Sequence, residues 1–428
     1  MYRRLAASLR PTTARQAKFG SCPQPVTAIA GCGLYVYTVT KDIVLTKWKI
    51  AKPPPPVKPI LVQTSQGTSG QPRKDALKKR PTKVRSTRGD KSKAKEVGFQ
   101  HHTAAILAVA ASEDGKYVCT GGADNRVIIW SATDLKPLKI FSQHRDAVMG
   151  LSFRLGTNQL YSCSRDRTIK VWSLDELAYI ETLFGHQDEV VDVASLALER
   201  CVSVGARDRT VRLWKVVEEQ QLVFRGGTLK HPKSLDLPRD DLAKTLLNDM
   251  KQMPLEGSID RVAMVDESTF LTGSDNGTLA LWDINKKKPV YTIPLAHGVT
   301  RADPTSSEDT ADDDHPRGHG QPCWITALAT LPLTDIAVSG SWDGRIRVWQ
   351  ISEDKRSLRC TSTLGPGSAE GAIRGVVNDL QIMERGHRWQ DGICVLAAIG
   401  REHRLGRWKR DSQWVNGGIV YELVKHPA

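Results

Sequence analysis

The stretches GADNRVIIW (122–130), CSRDRTIKVW (163–172) and GARDRTVRLW (205–214) are three copies of one pattern. Each closes on a tryptophan, and Trp130, Trp172 and Trp214 stand 42 residues apart. Six residues before each lies an acid, Asp124, Asp166 or Asp208, and 22 residues before each acid lies a histidine, His102, His144 or His186. A unit this short cannot bury both faces of its own strands, so several must stack on one another. The spacing also sets a chemical relation. An Asp in the turn ahead of the Trp strand, met by the His of the incoming loop, makes a buried hydrogen bond that a neighbouring Ser and the Trp N–H extend. These histidines and aspartates therefore read as framework, not as catalytic groups or metal ligands.

Four weaker copies complete the set. VTKDIVLTKW ends at Trp48 with Asp42 in the turn, and SGSWDGRIRVW ends at Trp349 with Asp343. TGSDNGTLALW ends at Trp282 with Asn276 in the acid position and Asp275 ahead of it, and AIGREHRLGRW ends at Trp408 with Glu402 there. A repeat of about 40–45 residues carrying GH and a strand ending in Trp is the WD40 pattern. Seven copies predict an all-β fold, a seven-bladed WD40 β-propeller over residues 26–428, closed into a ring because open sheet edges invite aggregation.

Outer strands are expected after each Trp, at PILVQ (59–63), KPLKIF (136–141), YIETLF (179–184), QLVFRG (221–226), PVYTIP (289–294) and SLRCTSTL (357–364). The last strand is read as GGIVYELV (417–424). Residues 1–25 are read as a basic tail, with a closing strand inside it left open. Four long segments fall between one outer strand and the next inner strand: 64–100, 227–257, 296–322 and 365–374. That connection leaves on the same face as the Asp-bearing turns, so all four are expected to crowd one face. The first, basic and nearly free of aromatics, reads as disordered. DDLAKTLLNDMKQM (240–253) has Leu242, Leu246, Leu247 and Met250 at helical spacing, which predicts a short amphipathic helix. DPTSSEDTADDD (303–314) reads as an acidic tip.

Composition agrees with a globular chain: 428 residues, 40% hydrophobic and 25% charged. No run of about 18 apolar residues marks a membrane span. The eight cysteines include no C-x-x-C pair, and Cys119, Cys163 and Cys201 fall in strand-like runs, which reads as buried thiols in a reducing compartment. The net charge of +14 is concentrated: residues 51–98 hold 13 Lys or Arg against three acids, and residues 1–25 hold five against none. A nearly neutral body with two basic segments points to a polyanionic partner or an import signal. KKRPTKVR (78–85) with KSKAK (91–95) also has the look of a nuclear localisation cluster.

The residues just before the turn acids are Lys41, Ala123, Arg165, Arg207, Asp275, Trp342 and Arg401. Cations with a Trp suit phosphate pairing and base stacking. Arg165, Arg207, Trp342 and Arg401 are the expected rim contacts to RNA. Lys78, Lys79, Arg80, Lys83 and Arg85 are the expected phosphate contacts of the basic loop. No phosphate loop, H-E-x-x-H or G-x-S-x-G motif is present, and no catalytic residue, metal or cofactor is assigned. A hidden enzyme would need a central pocket holding two strongly perturbed titratable groups.

Five longer strings carry a family resemblance: QHRDAVMGLSFRLGTNQLYSCSRDRTIKVW (143–172), YIETLFGHQDEVVDV (179–193 in YIETLFGHQDEVVDV), DRTVRLWKVVEEQQLVFRGG (208–227), KKKPVYTIPLAHG (286–298) and GREHRLGRW (400–408). Together they resemble the WD40 protein specific to the U3 small nucleolar ribonucleoprotein. That resemblance implies a nuclear, nucleolar protein binding U3 small nucleolar RNA together with a kink-turn-binding box C/D protein. It further implies other box C/D and small-subunit processome partners, a part in pre-rRNA processing, and neither a membrane nor a small-molecule substrate. The family usually has a longer charged N-terminal extension than the 25 residues ahead of the first blade here. The alternative reading is a generic WD40 protein–protein scaffold, a ligase adaptor or chromatin propeller that does not bind RNA.

Overall fold

The computed structural model describes residues 3–6, 9, 15–20, 22–50, 80–96, 98–226, 257–300, 321–364, 375–386, 392–406 and 414–423. Seven sheets, each of four antiparallel strands, make the blades. From inner to outer strand, blade 1 is Val26–Cys32, Tyr35–Thr40, Val44–Lys49 and Thr82–Arg88. Blade 2 is Ile106–Ala111, Tyr117–Gly122, Val127–Ser131 and Pro137–Phe141, and blade 3 is Val148–Phe153, Gln159–Ser164, Thr168–Ser173 and Ala178–Phe184. Blade 4 is Val190–Ser195, Arg200–Gly205, Thr210–Lys215 and Gln220–Arg225, and blade 5 is Ile259–Met264, Thr269–Ser274, Leu279–Asp283 and Tyr291–Ile293. Blade 6 is Ile325–Thr330, Ile336–Ser341, Ile346–Ile351 and Leu358–Leu364. Blade 7 is Val376–Glu384, Ile393–Gly400, Gly417–Leu423 and, from the other end of the chain, Arg15–Phe19.

A blade is covered by neighbours on both sides, so its middle strands bury both faces. Gln159–Ser164 and Thr269–Ser274 are buried along nearly their whole length, as expected of strands with no solvent face. The inner strands carry small residues (Ala28, Ala30, Ala108, Ala327, all buried) where seven sheets converge. Every inner strand also has a register break near its start, which leaves Thr27, Leu107, Met149, Val191, Asp260, Thr326 and Asn378 out of the ladder. A bulge of this kind kinks the strand and frees its backbone groups from pairing.

Three expectations need correction. The outer strand of blade 1 is Thr82–Arg88, not PILVQ (59–63), which lies outside the described residues. Nor is 64–100 disordered throughout, since it contains that strand and a 3-10 turn at Ser92–Lys95. The strand escapes a hydrophobicity reading because six of its seven side chains are exposed; the ladder to Val44–Lys49 holds it. In consequence the long segment of blade 1 joins the third and fourth strands. It leaves at Lys49 and returns at Arg80, on the face opposite the Asp-bearing turns, so the four insertions do not share one face. Those after blades 4, 5 and 6 do join an outer to the next inner strand.

The N-terminal tail is the third correction. Arg15–Phe19 pairs with Gly417–Leu423, from Arg15 opposite Glu422 to Phe19 opposite Gly418. Gly417–Leu423 is therefore the third strand of blade 7, and the ring is closed by joining the two ends of the chain. Phe19 packs edge-to-face on Trp48 of blade 1 at 5.2 Å. Further upstream, Leu5 is fully buried, its N–H donates to Asp335 Oδ1 at 2.6 Å, and Arg3 pairs with Glu384 at 2.5 Å. The 240–253 helix, the 303–314 tip, 365–374 and Trp408 lie outside the described residues.

Candidate functional site

The repeated His and Asp side chains are occupied by one another. In blade 3 the Trp172 indole N–H donates to Ser162 Oγ at 2.8 Å. Ser162 meets His144 Nε2 at 2.8 Å, and His144 Nδ1 meets Asp166 at 2.8 Å. Blade 2 repeats this chain through Trp130, Thr120, His102 and Asp124, and blade 4 through Trp214, Ser203, His186 and Asp208. Burial pushes the Asp166 carboxyl up, but hydrogen bonds from His144, Thr168 and the Arg145 amide outweigh it and hold the group well below the usual carboxylate range. Burial lowers His144 despite Asp166. In blade 6, Trp349 donates to Ser339 at 2.8 Å, and the histidine on Ser339 is His297, with Asp343 3.5 Å from its Nδ1. The sequence spacing missed His297 because the third insertion separates it from its blade.

The Asp-bearing face carries the expected rim. Arg165 is half-exposed and lies 3.3 Å from Glu189. Arg207 is exposed, its backbone N–H held by Asp188 at 3.1 Å. Trp342 is half-buried and packs edge-to-face on Trp324, 6.3 Å between centroids. Trp324 also packs at a 40° tilt on His403, 4.5 Å between centroids, and donates to Asp260 at 2.7 Å, an aromatic cluster that repeat spacing does not reveal. Arg401 differs from the other three: its guanidinium donates to the Trp414 carbonyl and its backbone N–H to Asn416, so it braces the blade 7 turn. Lys41 likewise bonds Glu402 at 2.7 Å and the His403 carbonyl at 2.9 Å, tying blade 1 to blade 7.

In blades 1 to 6 the residue after the turn acid, or after Asn276 in blade 5, adopts a left-handed backbone. Gly277 and Gly344 do so at φ 75° and 74°, where glycine is free, but blades 3 and 4 place Arg167 and Arg209 there at 68° and 53°. An L-residue other than Gly costs about 1–2 kcal/mol in this region. Cations are thus set on this rim against backbone preference.

The channel itself is filled by two arginines. Arg404 is 5% exposed and donates to the carbonyls of Met149, Val191 and Leu107 at 3.0, 3.3 and 3.4 Å. Arg261 donates to those of Thr326 and Asn378 at 2.7 and 2.6 Å. All five acceptors are the bulged residues of inner strands. Two guanidiniums therefore satisfy five of the seven carbonyls that the bulges release, across blades 2, 3, 4, 6 and 7. Burial, then the neighbouring Arg261, lower Arg404 to about 10. Burial raises Asp379 against the pull of Arg261. Burial and then Asp275 push Asp260 up to about 7, while burial drives His403 well below its ordinary value. These perturbed groups are packed on one another and on backbone. Among the described residues no three His, Cys, Asp or Glu side chains converge as a metal site.

The basic-loop residues separate from the rim. Arg80, Lys83 and Arg85 are exposed on the side wall of blade 1, and Lys78 and Lys79 lie outside the described residues. Arg80 and Lys18 border a cleft of about 370 Å³ between blades 7 and 1, floored by Phe19, Ile399 and Ile419.

The model of the WD domain, G-beta repeat, matches residues 94–131, 135–173, 178–215 and 315–350. An uncharacterised WD repeat-containing protein of Schizosaccharomyces pombe is 41% identical over 94% of this chain and 70% of its own length. Ribosomal RNA-processing protein 9 of Saccharomyces cerevisiae is 37% identical over 91% of this chain and 67% of its own. The chain belongs to the WD-repeat family of ribosomal RNA-processing protein 9. Human U3 small nucleolar RNA-interacting protein 2 is 42% identical over 76% of this chain, which spans 57% of that relative's length. Two solved structures, the WD40 repeats of RRP9 and U3-55K, each superpose with a TM-score of 0.69 at 29% identity, covering 99% and 98% of this chain and all of theirs. The likeness to these two structures thus extends along nearly the whole chain.

Proposed function

We propose that this protein is a non-catalytic component of the U3 small nucleolar ribonucleoprotein, acting in the nucleolus to support processing of pre-ribosomal RNA towards the small-subunit RNA. In this reading the Asp-bearing face holds U3 RNA alongside a kink-turn-binding box C/D protein. The observation that carries it is the kinship with ribosomal RNA-processing protein 9 along nearly the whole chain, and a rim carrying Arg165, Arg207 and Trp342, side chains suited to phosphate and base, supports it. Arg401 acts there by bracing its turn. Arg80, Lys83 and Arg85 would meet phosphates only of a strand that runs off the face and down the wall of blade 1.

RNA cross-linked to the protein in cells and then sequenced tests this reading. The expected result is U3 enrichment that falls at least tenfold in the triple variant R165A/R207A/W342A. Recovery of RNA without U3 enrichment refutes it. Alanine at Lys78, Lys79, Arg80, Lys83 and Arg85 should flatten the salt slope of U3 binding by about 3.5; an unchanged slope removes these residues from the RNA path.

One observation favours the protein-scaffold reading as a second role. The outer strands of blades 3 and 4 expose Tyr179, Ile180, Phe184, Leu222 and Val223, with Phe184 at 70%. An apolar wall of this kind suits a protein partner, and the kink-turn-binding protein is the natural candidate.

A further inference from the structure

On the face opposite the Asp-bearing turns, two adjacent blades bring cations together. The turn between the third and fourth strands of blade 5 carries Lys286, Lys287 and Lys288, all exposed. The corresponding turn of blade 6 carries Arg356, also exposed. With Pro289 and Val290 these four line one groove of about 600 Å³.

Both turns are firmly built. In blade 5, Lys286 N–H donates to the Asp283 carbonyl at 2.9 Å, Asn285 N–H to Asp283 Oδ1 at 2.9 Å, and Val290 N–H to the Leu281 carbonyl at 2.7 Å. In blade 6, Ser352 N–H donates to the Ser357 carbonyl at 3.0 Å and Arg356 N–H to Asp354 Oδ1 at 3.1 Å. Lys355 then clamps this turn to blade 5 through Asp266 at 2.6 Å. The clamp holds Arg356 facing the lysines. Asp283 and Asp354 are turned back into their own loops by these bonds, and Glu353 is paired with Arg4. Among the described residues no carboxylate lies within ion-pair distance of Lys286, Lys287, Lys288 or Arg356.

Four cations held together, with Asp354 beside Arg356 too far for an ion pair, raise the local potential and call for an anion. The groove offers only a shallow apolar floor of Pro289 and Val290 and no deep pocket for a side-chain anchor. Lysine heads on flexible stems are point charges that follow a phosphate backbone rather than read a shape. We infer that Lys286, Lys287, Lys288 and Arg356 form a second RNA-backbone contact, on the face opposite the rim. The inference rests on the reading of this protein as an RNA-binding ribonucleoprotein component. It adds that RNA is held at two faces of the disc, so that one strand, or two separate segments, bridge across the wall.

The test is fluorescence anisotropy of a 40-nucleotide single-stranded RNA with the full chain across a salt series. The variants are K286Q/K287Q/K288Q/R356Q and, separately, R165Q/R207Q. All the changed residues are exposed or half-exposed, and unchanged thermal midpoints confirm folding. Neutralising a single-strand phosphate contributes about 0.7 to the salt slope, so the fourfold variant should lose about 3 and the rim variant about 1.5, additively when combined. Polyglutamate of matched charge should displace RNA from the groove poorly. A fourfold variant with the wild-type slope overturns the inference while the rim reading stands. Equal displacement by polyglutamate also overturns it, in favour of an acidic protein segment. If wild type binds no RNA, the proposed function itself fails.

Discussion

Replacing Arg404 by methionine, which keeps the volume and removes the guanidinium, should loosen the whole disc rather than one blade. The side chain holds carbonyls of three consecutive blades and faces Asp192 and Asp379 across the channel. Two of its three hydrogen bonds are long, at 3.3 and 3.4 Å, so about 1 kcal/mol each is a fair value. Asp192 and Asp379 would lose one of the two arginines that face them and keep Arg261, at 3.8 and 4.0 Å. Removing one member of a buried charge set costs about 3–5 kcal/mol. Two offsets act against this: Arg404 is costly to bury, as its lowered basicity records, and its repulsion with Arg261 disappears. The net expectation is a loss of about 2–4 kcal/mol. For 428 residues unfolding in one step, an entropy of about 0.9 kcal/mol/K turns that into a fall of roughly 2–4 °C in the thermal midpoint. Differential scanning calorimetry reads this directly, and a double-mutant cycle with D379N should show coupling of at least about 0.5 kcal/mol. A midpoint within 0.5 °C of wild type, with no coupling, would refute the view that the bulge carbonyls are held by guanidinium.

Two further substitutions address the axis and the seam. In Asp260→Asn the pH dependence is diagnostic. The folded-state carboxyl is raised to about 7, so its protonated form favours folding; that contribution is complete below the unfolded value near 4 and is lost as pH rises through 7. The variant should therefore gain stability over wild type at pH 8, by at most ~4 kcal/mol, and much less at pH 5; midpoints by circular dichroism at both values decide it, and an equal difference at the two would reject the raised carboxyl. Phe19→Ala empties the contact with Trp48 in the strand that closes the ring, at a cost of about 3–5 kcal/mol, and hydrogen exchange should speed first in Gly417–Leu423 and Arg15–Phe19. Exchange that stays slowest in those two strands would mean that the seam does not depend on this contact.

What the sequence disclosed follows from how repetitive the chemistry is. The chain from Trp172 through Ser162 and His144 to Asp166 needs those residue types at those separations, so its copies in blades 2 and 4 stand out at a fixed period. Thr82–Arg88 is silent for the opposite reason. It buries almost no side chain, so no two-residue apolar alternation is imposed on it, and its cations imitate a disordered arm. Arg15–Phe19 is equally silent, because its partner lies about 400 residues away at Gly417–Leu423 and nothing local marks the pairing. Blade 7 hides its third strand by lengthening the turn before it, which drew the reading towards Trp408. Arg404 was invisible as a functional position because the groups it satisfies are backbone carbonyls, and carbonyls leave no trace in side-chain identity. Arg165 and Arg207 were legible as rim positions, whereas the bracing role of Arg401 depends on Trp414 and Asn416, which no spacing rule connects to it.

The distribution of charge favours a binding surface over a chemical centre. The perturbed groups, Asp260, Asp379, His403 and Arg404, all lie along the axis. Each is spent: Asp260 on Ser258 and Trp324, Asp379 on the Ile29 N–H, His403 on the Leu405 N–H and the Trp324 ring, and Arg404 on three carbonyls. A substrate entering there would have to displace the bonds that hold the inner strands together, so altered basicity at this centre is a by-product of closing the ring. The exposed cations lie at the periphery instead, on the rims of blades 3 and 4, the wall of blade 1 and the underside of blades 5 and 6. These are separate parts of the disc's surface, and no small molecule touches more than one of them. A ligand that uses all three must be long, flexible and anionic along its length, and a polynucleotide has those properties. The same geometry explains why the ring must be stiff: positions set far apart on one disc can select a strand's path only if the blades between them do not shift, and the arginine-filled axis with the Arg15–Phe19 seam supplies that rigidity.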